Sequence, residues 1–137
     1  WTLVVNDLCR QAVTAGKLVL KTPGLQKRDF ITLHDTARAV AHMLGLPPLQ
    51  CGDGLFDLGG EYTVSILEMA TLIAARCEAI LGSLPAIERP DTPAGEKGED
   101  LDYRIDKIKD TGFSLTRNVE EEIDATLRLC AAHFGGR

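Results

Sequence analysis

Long apolar runs are missing from this chain. No stretch of its 137 residues approaches the ~20 consecutive apolar side chains that a bilayer core requires, so a membrane-spanning helix is excluded. Aromatic residues are scarce at 5%, with a single Trp and two Tyr. The three histidines, His34, His42 and His133, lack the i, i+4 spacing of a helical metal pair. The four cysteines, Cys9, Cys51, Cys77 and Cys130, are too widely spaced for a zinc motif. Cys77 and Cys130 fall on apolar helix faces, where a free thiol behaves as a small hydrophobe. Reduced, buried thiols are therefore expected, and with them a cytoplasmic setting. Also missing are a G-x-S-x-G nucleophile elbow, a P-loop and a complete G-x-G-x-x-G. Gly52-Asp53-Gly54 begins the last pattern, but Asp57 stands where its third glycine belongs.

What is present is an ordinary soluble composition, 45% hydrophobic and 26% charged, which excludes intrinsic disorder. The length suits one domain and is too short for a complete two-domain dinucleotide enzyme. The net charge of −5 is uneven: residues 1–50 carry +3 and residues 51–137 carry −8. An acidic chain is a poor nucleic-acid binder, so no nucleic-acid or membrane partner is expected, while the basic first third suits a small anion. The chain opens at Trp1, without an initiator Met or signal peptide, and reads as a segment of a longer polypeptide.

Periodicity predicts a helix over 3–15 with Val5, Leu8, Cys9, Ala12 and Val13 inward and Gly16 as its stop. Short strands are predicted at Leu18–Leu20, Phe30–Leu33 and Leu55–Leu58. Asp35 is expected to cap a helix through Leu44 that buries Ala37, Val40, Ala41 and Leu44. Residues 46–54 read as a Pro/Gly loop. Ser65 and Glu68 form a capping box opening a helix to Leu81, with Ile66, Met69, Ala70, Ile73, Cys77 and Ile80 inward and Gly82 ending it. Residues 89–100 are nearly devoid of apolar side chains and read as a mobile loop or interdomain arm. A short helix at Asp106–Asp110 and a last one capped by Asn118 follow, the latter with Val119, Ile123, Leu127, Cys130 and Phe134 inward. The fold class is α/β: several helices with short, scattered strands, too few for an independent sheet of normal size.

Tyr103 and Lys107 match Tyr-x-x-x-Lys, the general-base pair of short-chain dehydrogenases. No dinucleotide fold precedes them, and so short a pattern is read as chance.

Five stretches do resemble one family in order along the chain. Arg28-Asp29-Phe30-Ile31-Thr32-Leu33-His34-Asp35-Thr36-Ala37-Arg38-Ala39 is similar to the RDFIHVDDVARA segment of the extended short-chain dehydrogenases, the NAD-dependent nucleotide-sugar epimerases and dehydratases. Val5-Asn6-Asp7-Leu8 with Gln11-Ala12, and Phe56-Asp57-Leu58-Gly59-Gly60 with Val64-Ser65-Ile66-Leu67-Glu68, resemble further elements. So do Tyr103-Arg104-Ile105-Asp106-Lys107, and Gly112-Phe113 with Val119-Glu120-Glu121. The likeness spans the chain but only the family's C-terminal half.

This resemblance implies a substrate-binding domain over residues 1–137, with NAD and all catalytic groups on an absent N-terminal Rossmann domain and a homodimeric parent. The ligand implied is a nucleoside-diphosphate sugar, positioned for hydride transfer at C4. Arg28 matches the arginine that binds its diphosphate, a role suited to the planar guanidinium fork. Asp7 stands where the family has an asparagine near the phosphates. A carboxylate there repels phosphate, so Asn6 takes the role, the register shifts, or the substrate differs. Tyr103 matches a tyrosine near the sugar or phosphate, preceded by seven residues in the family by a second phosphate-binding arginine. Here that position is Glu96, leaving Lys97 or Arg89 as substitutes. His34 and Thr32 are expected to tune packing. The divergences at Asp7 and Glu96 also admit a non-catalytic nucleotide-sugar-binding or protein-interaction module of the same fold. A small stand-alone α/β domain is the third possibility.

Overall fold

The computed structural model describes residues 3–95 and 97–135, so Trp1 and Glu96 lie outside the described residues. In chain order the elements are α1 (Val4–Ala15), β1 (Lys17–Val19), β2 (Lys27–Asp29), α2 (Leu33–Leu44), α3 (Pro48–Cys51), β3 (Thr63–Ser65), α4 (Ile66–Leu81), β4 (Ala86–Glu88), α5 (Asp106–Asp110) and α6 (Val119–Phe134). The strands form two two-stranded sheets, β1 with β4 and β2 with β3. The chain is thus mixed α/β without a full doubly wound sheet among its described residues. No described helix is long and apolar enough to cross a membrane. The residues gather into two compact units.

The first unit comprises Trp1–Arg28, Val64–Asp100 and Glu120–Arg137. Its helices follow their sequence signals closely. Leu8, Cys9 and Ala12 of α1 are buried, and Gly16 adopts the left-handed conformation (φ 62°) as its C-cap. The capping box of α4 is complete: Glu68 N–H donates to Ser65 Oγ at 3.1 Å and Ser65 N–H to Glu68 Oε2 at 2.7 Å. Ile66, Met69, Ala70, Ile73, Ala74 and Cys77 of α4 and Ile123, Leu127 and Cys130 of α6 are buried. Strands β1 and β4 pair in parallel, Leu18 opposite Ile87, and Lys17 meets Glu88 at 3.0 Å beside that register. β4 escaped the sequence reading because three residues carry no measurable alternation.

Arg76 of α4 grips Asp124 of α6 with two bonds, Nε to Oδ1 at 2.7 Å and Nη2 to Oδ2 at 2.5 Å, and reaches Glu120 at 3.2 Å. Asp124 is buried, and the hydrogen bond from the Arg76 guanidinium holds its carboxyl below the usual carboxylate range. Arg76→Met is expected to destabilise the unit by stranding that carboxylate, readable as a lower urea midpoint. Asp124→Asn in the same background should recover part of the loss.

The second unit comprises Asp29–Thr63 and Leu101–Val119. Its core is Ala39, Ile105, Ile108 and Phe113, with Met43, Phe56, Leu58 and Leu115 packed against it. Three expectations fail here. Phe30–Leu33 is not a strand: β2 ends at Asp29 and α2 begins at Leu33, because Thr32, not Asp35, is the N-cap and accepts Asp35 N–H at 3.0 Å. Leu55–Leu58 forms no ladder, since Phe56 and Leu58 bury against the core cluster instead. Most consequentially, α2 is turned over. Asp35 and Ala39 are its buried residues, while Ala37, Val40, Ala41 and Leu44 all face outward. The loop at 46–54 also contains the one-turn helix α3, with Pro48 at its start.

Candidate functional site

Within the first unit, Arg28 sits on a segment fastened to the start of α4. The first turn of a helix has amide groups without intrahelical partners. Here Ile66 N–H donates to Gln26 carbonyl at 3.2 Å and Leu67 N–H to Gly24 carbonyl at 3.0 Å. Gly24 lies in the left-handed region (φ 80°), and a Cβ there would press on Leu67 N at 3.1 Å. Side chains alternate along β2, half-buried Lys27, exposed Arg28, half-buried Asp29. The Arg28 guanidinium donates to its neighbour's carbonyl, Lys27 O, at 3.2 Å, and no carboxylate pairs with it among the described residues.

The arm at 89–100 is fastened to this same segment. Arg89 donates to Pro23 carbonyl at 3.3 Å and to Thr92 Oγ1 at 3.0 Å. Gly98 passes so close to Leu25 that an added Cβ would lie 2.2 Å from its carbonyl oxygen. Asp100 pairs with Lys27 at 2.6 Å. Exposed Lys97 is adjacent to Gly98. Three sequence-predicted residues, Arg28, Arg89 and Lys97, therefore border residues 23–28.

Among the described residues no bond joins Asn6 or Asp7 to them. Both are half-buried on α1. Asp7 accepts from Arg10 Nη2 at 2.8 Å and Gln11 Nε2 at 2.7 Å, and Gln11 Oε1 in turn accepts Val19 N–H at 2.8 Å. This chain of bonds ties α1 to β1. The hydrogen bond from Arg10, the largest cause, holds Asp7 below its ordinary pKa against the opposing effect of burial.

In the second unit, Asp29 is the residue that sequence reading missed, although it stands beside Arg28 in the quoted motif. Its two oxygens accept Gly60 N–H at 2.6 Å and Tyr62 N–H at 2.9 Å. That loop is closely packed. A Cβ on Gly59 would meet Asp29 Oδ2 at 2.5 Å and the Tyr103 ring at 2.5 Å. Tyr103 is thus seated on glycine backbone, 38% exposed, with no hydrogen bond to its hydroxyl among the described residues.

Lys107 is not its partner. Residues 101–105 are coil, so the two side chains do not share a helix face. The Lys107 ammonium donates to Asp53 and Leu55 carbonyl and lies 4.7 Å from the centre of the Phe56 ring. A surface depression of about 210 Å³ beside it is lined by Asp57, Arg104, Ile105, Asp106 and Lys107. This is below the roughly 300–1,000 Å³ of a small-molecule pocket. Arg104 and Asp106 neutralise each other there at 2.8 Å.

Gly52 and Gly54 both have positive φ, but their turn follows α3 and continues as coil to β3. Among the described residues no helix N-terminus follows this turn to receive a phosphate. Cys9, Cys77 and Cys130 are buried as free thiols, and burial, then the neighbouring Cys130 and Cys77, push Cys9 up to about 12. Such a thiol is inert at neutral pH. Among the described residues no three His, Cys, Asp or Glu side chains form a metal-holding group.

Comparison with known proteins places the fold. No protein-family model and no curated protein matches the chain. Solved structures do. UDP-glucuronic acid 4-epimerase from Bacillus cereus, solved with NAD, matches at 21% identity and a TM-score of 0.69, over 98% of this chain and 39% of its own. RMD from Pseudomonas aeruginosa, solved with NADPH, matches at 17% identity and a TM-score of 0.70, over 96% of this chain and 43% of its own. An NAD-dependent NDP-hexosamine 5,6-dehydratase of tunicamycin biosynthesis, TunA, matches at 20% identity and a TM-score of 0.64, over 92% and 38%. The chain spans about two fifths of the length of the structures it resembles.

Proposed function

We propose that this chain is the C-terminal, substrate-binding part of an NAD-dependent nucleotide-sugar epimerase or dehydratase of the extended short-chain type. In this reading Arg28 takes the diphosphate of a nucleoside-diphosphate sugar. The observation that carries it is the state of Arg28: an exposed guanidinium with no carboxylate partner among the described residues, on a segment held to a helix N-terminus. A diphosphate would supply the acceptor oxygens that this fork lacks. Arg89 and Lys97, fastened to or flanking the same segment, add positive charge beside it.

Asp7 already has two donors on its own helix, which leaves half-buried Asn6 as the polar group of α1 for a ligand. Tyr103 is assigned a sugar or phosphate contact on its motif and on a hydroxyl with no hydrogen bond among the described residues. The work of these residues is to bind and orient the sugar nucleotide and to exclude water from it.

Bound NAD supplies hydride chemistry at C4 of the sugar. The glycine turn at 52–54 does not fit a dinucleotide, so the cofactor is assigned to a separate N-terminal Rossmann domain of a homodimeric, cytoplasmic parent. No catalytic group is assigned to this chain, which alone should turn nothing over.

The test is a thermal-shift panel of UDP-, GDP- and TDP-sugars on the 137-residue chain. At least one should raise Tm in a concentration-dependent way. Arg28→Ala should weaken that response about tenfold or more, as expected for a charge-assisted contact. If Arg28→Ala leaves every response intact, the diphosphate assignment is wrong.

A further inference from the structure

Residues 23–27 are held from two sides in alternation. The Gly24 and Gln26 carbonyls accept Leu67 N–H at 3.0 Å and Ile66 N–H at 3.2 Å from the first turn of α4. The residues between them answer to the arm at 89–100 instead. Pro23 carbonyl accepts from Arg89 at 3.3 Å, Gly98 packs on Leu25 carbonyl, and the Lys27 ammonium donates to Asp100 at 2.6 Å. The segment that leads into Arg28 is therefore clamped between α4 and the arm.

The two sides of the clamp are built differently. The α4 side is backbone on backbone, continuous with a capped helix. The arm side has no apolar anchor: residues 91–95 and 97–100 are all exposed, Ala94 included. The first half of the arm is stiffened by Pro90 and Pro93 and by Arg89, which also bonds Thr92 Oγ1 at 3.0 Å. Its second half contains Gly95, left-handed at φ 85°, and Gly98. Asp100 then fastens that half, with a side chain 96% exposed against 36% for Lys27. Among the described residues no other ion pair holds Asp100. A pair so open to water is weak and is screened by salt.

We propose that the Lys27–Asp100 pair is a salt-sensitive latch, which shuts the second half of the arm as a strap over residues 25–27. With the strap shut, the backbone just before Arg28 is braced on both sides. With the latch broken, that backbone hangs on α4 alone. The consequence for a ligand rests on the diphosphate reading of Arg28, whereas the latch itself does not.

Trypsin cleavage of the full 137-residue chain tests it without any ligand. Within the arm trypsin meets Arg89 and Lys97, and Pro90 blocks cleavage after the first. The reporting bond is Lys97–Gly98, which a shut strap holds against Leu25. Its cleavage follows the population of open strap. Cleavage after Arg128, within α6, measures general unfolding and is divided out. At low salt the wild type should be cut slowly after Lys97, and added salt should speed the cut. Asp100→Asn should be cut about two- to fivefold faster at low salt, the scale of one exposed ion pair, and should ignore added salt. Gly98→Ala should also be cut fast, because its Cβ would lie 2.2 Å from Leu25 carbonyl oxygen and drive the strap off with both charges intact. Equal rates for the wild type and Asp100→Asn at low salt overturn the proposal. So does an Asp100→Asn protein that keeps the salt response of the wild type, or a Gly98→Ala protein cut as slowly as the wild type. Because no sugar nucleotide is present, failure of the latch and failure of the diphosphate assignment are read separately.

Discussion

Gly60→Ala is expected to destabilise the unit formed by Asp29–Thr63 and Leu101–Val119 by more than about 3 kcal/mol, the range in which overpacking against backbone prevents folding. A Cβ at Gly60 would lie 1.8 Å from the carbonyl oxygen of Phe30, 2.7 Å from its carbon and 2.9 Å from Ile31 Cα. All three are main-chain atoms, so no rotamer change relieves the clash. Moving the two segments apart would break Phe30 N–H to Tyr62 carbonyl at 3.1 Å and the two amide bonds into Asp29. Gly54→Ala is the control. It has open space around the added methyl and a positive φ of 77°, so it should cost only the roughly 1 kcal/mol of left-handed strain. Hydrogen exchange should localise the Gly60 effect to residues 29–63 and 101–119. A Gly60→Ala protein as stable as Gly54→Ala would show that this approach is not as tight as described.

Asp35→Ala should cost about 3–5 kcal/mol, the scale for removing one partner from a buried charged network. The carboxylate is 1% exposed. It accepts Thr116 N–H at 2.9 and 3.0 Å, Thr116 Oγ1 at 2.9 Å, Arg117 N–H at 2.9 Å and Arg38 Nη1 at 2.9 Å. Without it the Thr116 and Arg117 amides lose their acceptor, and the left-handed turn at Arg117 (φ 57°) loses its anchor. Glu61, itself left-handed at φ 46°, still holds Arg117 at 2.9 Å from the other side, which keeps the loss local.

The same site makes stability depend on acid. Burial opposes ionisation of Asp35, but the amides of Thr116 and Arg117, the Thr116 hydroxyl and Arg38 overcome it and hold the pKa at about 2, against an ordinary 3.8. Because the folded value is the lower one, the stabilisation is complete above about pH 4. It is lost as pH falls toward 2, and amounts to about 2 kcal/mol. Asp7, Glu61 and Asp124 are also held low by their cationic partners and add to the acid loss. The informative quantity is therefore the difference between the wild type and Asp35→Asn. Urea midpoints at pH 7 and pH 2.5 should show a smaller acid loss in the variant. An unchanged acid loss would place the titrating group elsewhere.

Gly59, Gly60, Arg28 and Tyr103 were all visible in the sequence as members of motifs. Nothing local marked Asp29 as the acceptor of the Gly60 and Tyr62 amides, because its partners are 31 and 33 residues away. The Tyr103–Lys107 spacing was equally visible, but a four-residue offset carries meaning only on a helix, and α5 starts after Tyr103. Lys107 instead answers to Asp53, 54 residues earlier.

The sequence by itself determined what neighbours along the chain can settle. The Ser65–Glu68 box, the glycine stops at Gly16 and Gly82, and the apolar stripes of α1, α4 and α6 all close bonds or faces within a few residues. Tertiary structure alone decided which way α2 turns. Its apolar stripe predicted Ala37, Val40, Ala41 and Leu44 inside. The amides of a loop 81 and 82 residues away required a buried acceptor, and Asp35 is the carboxylate of that helix. Leaving those groups and a buried charge unsatisfied costs more than exposing a few aliphatic side chains. The polar network therefore set the rotation of the helix and left its hydrophobic face to water.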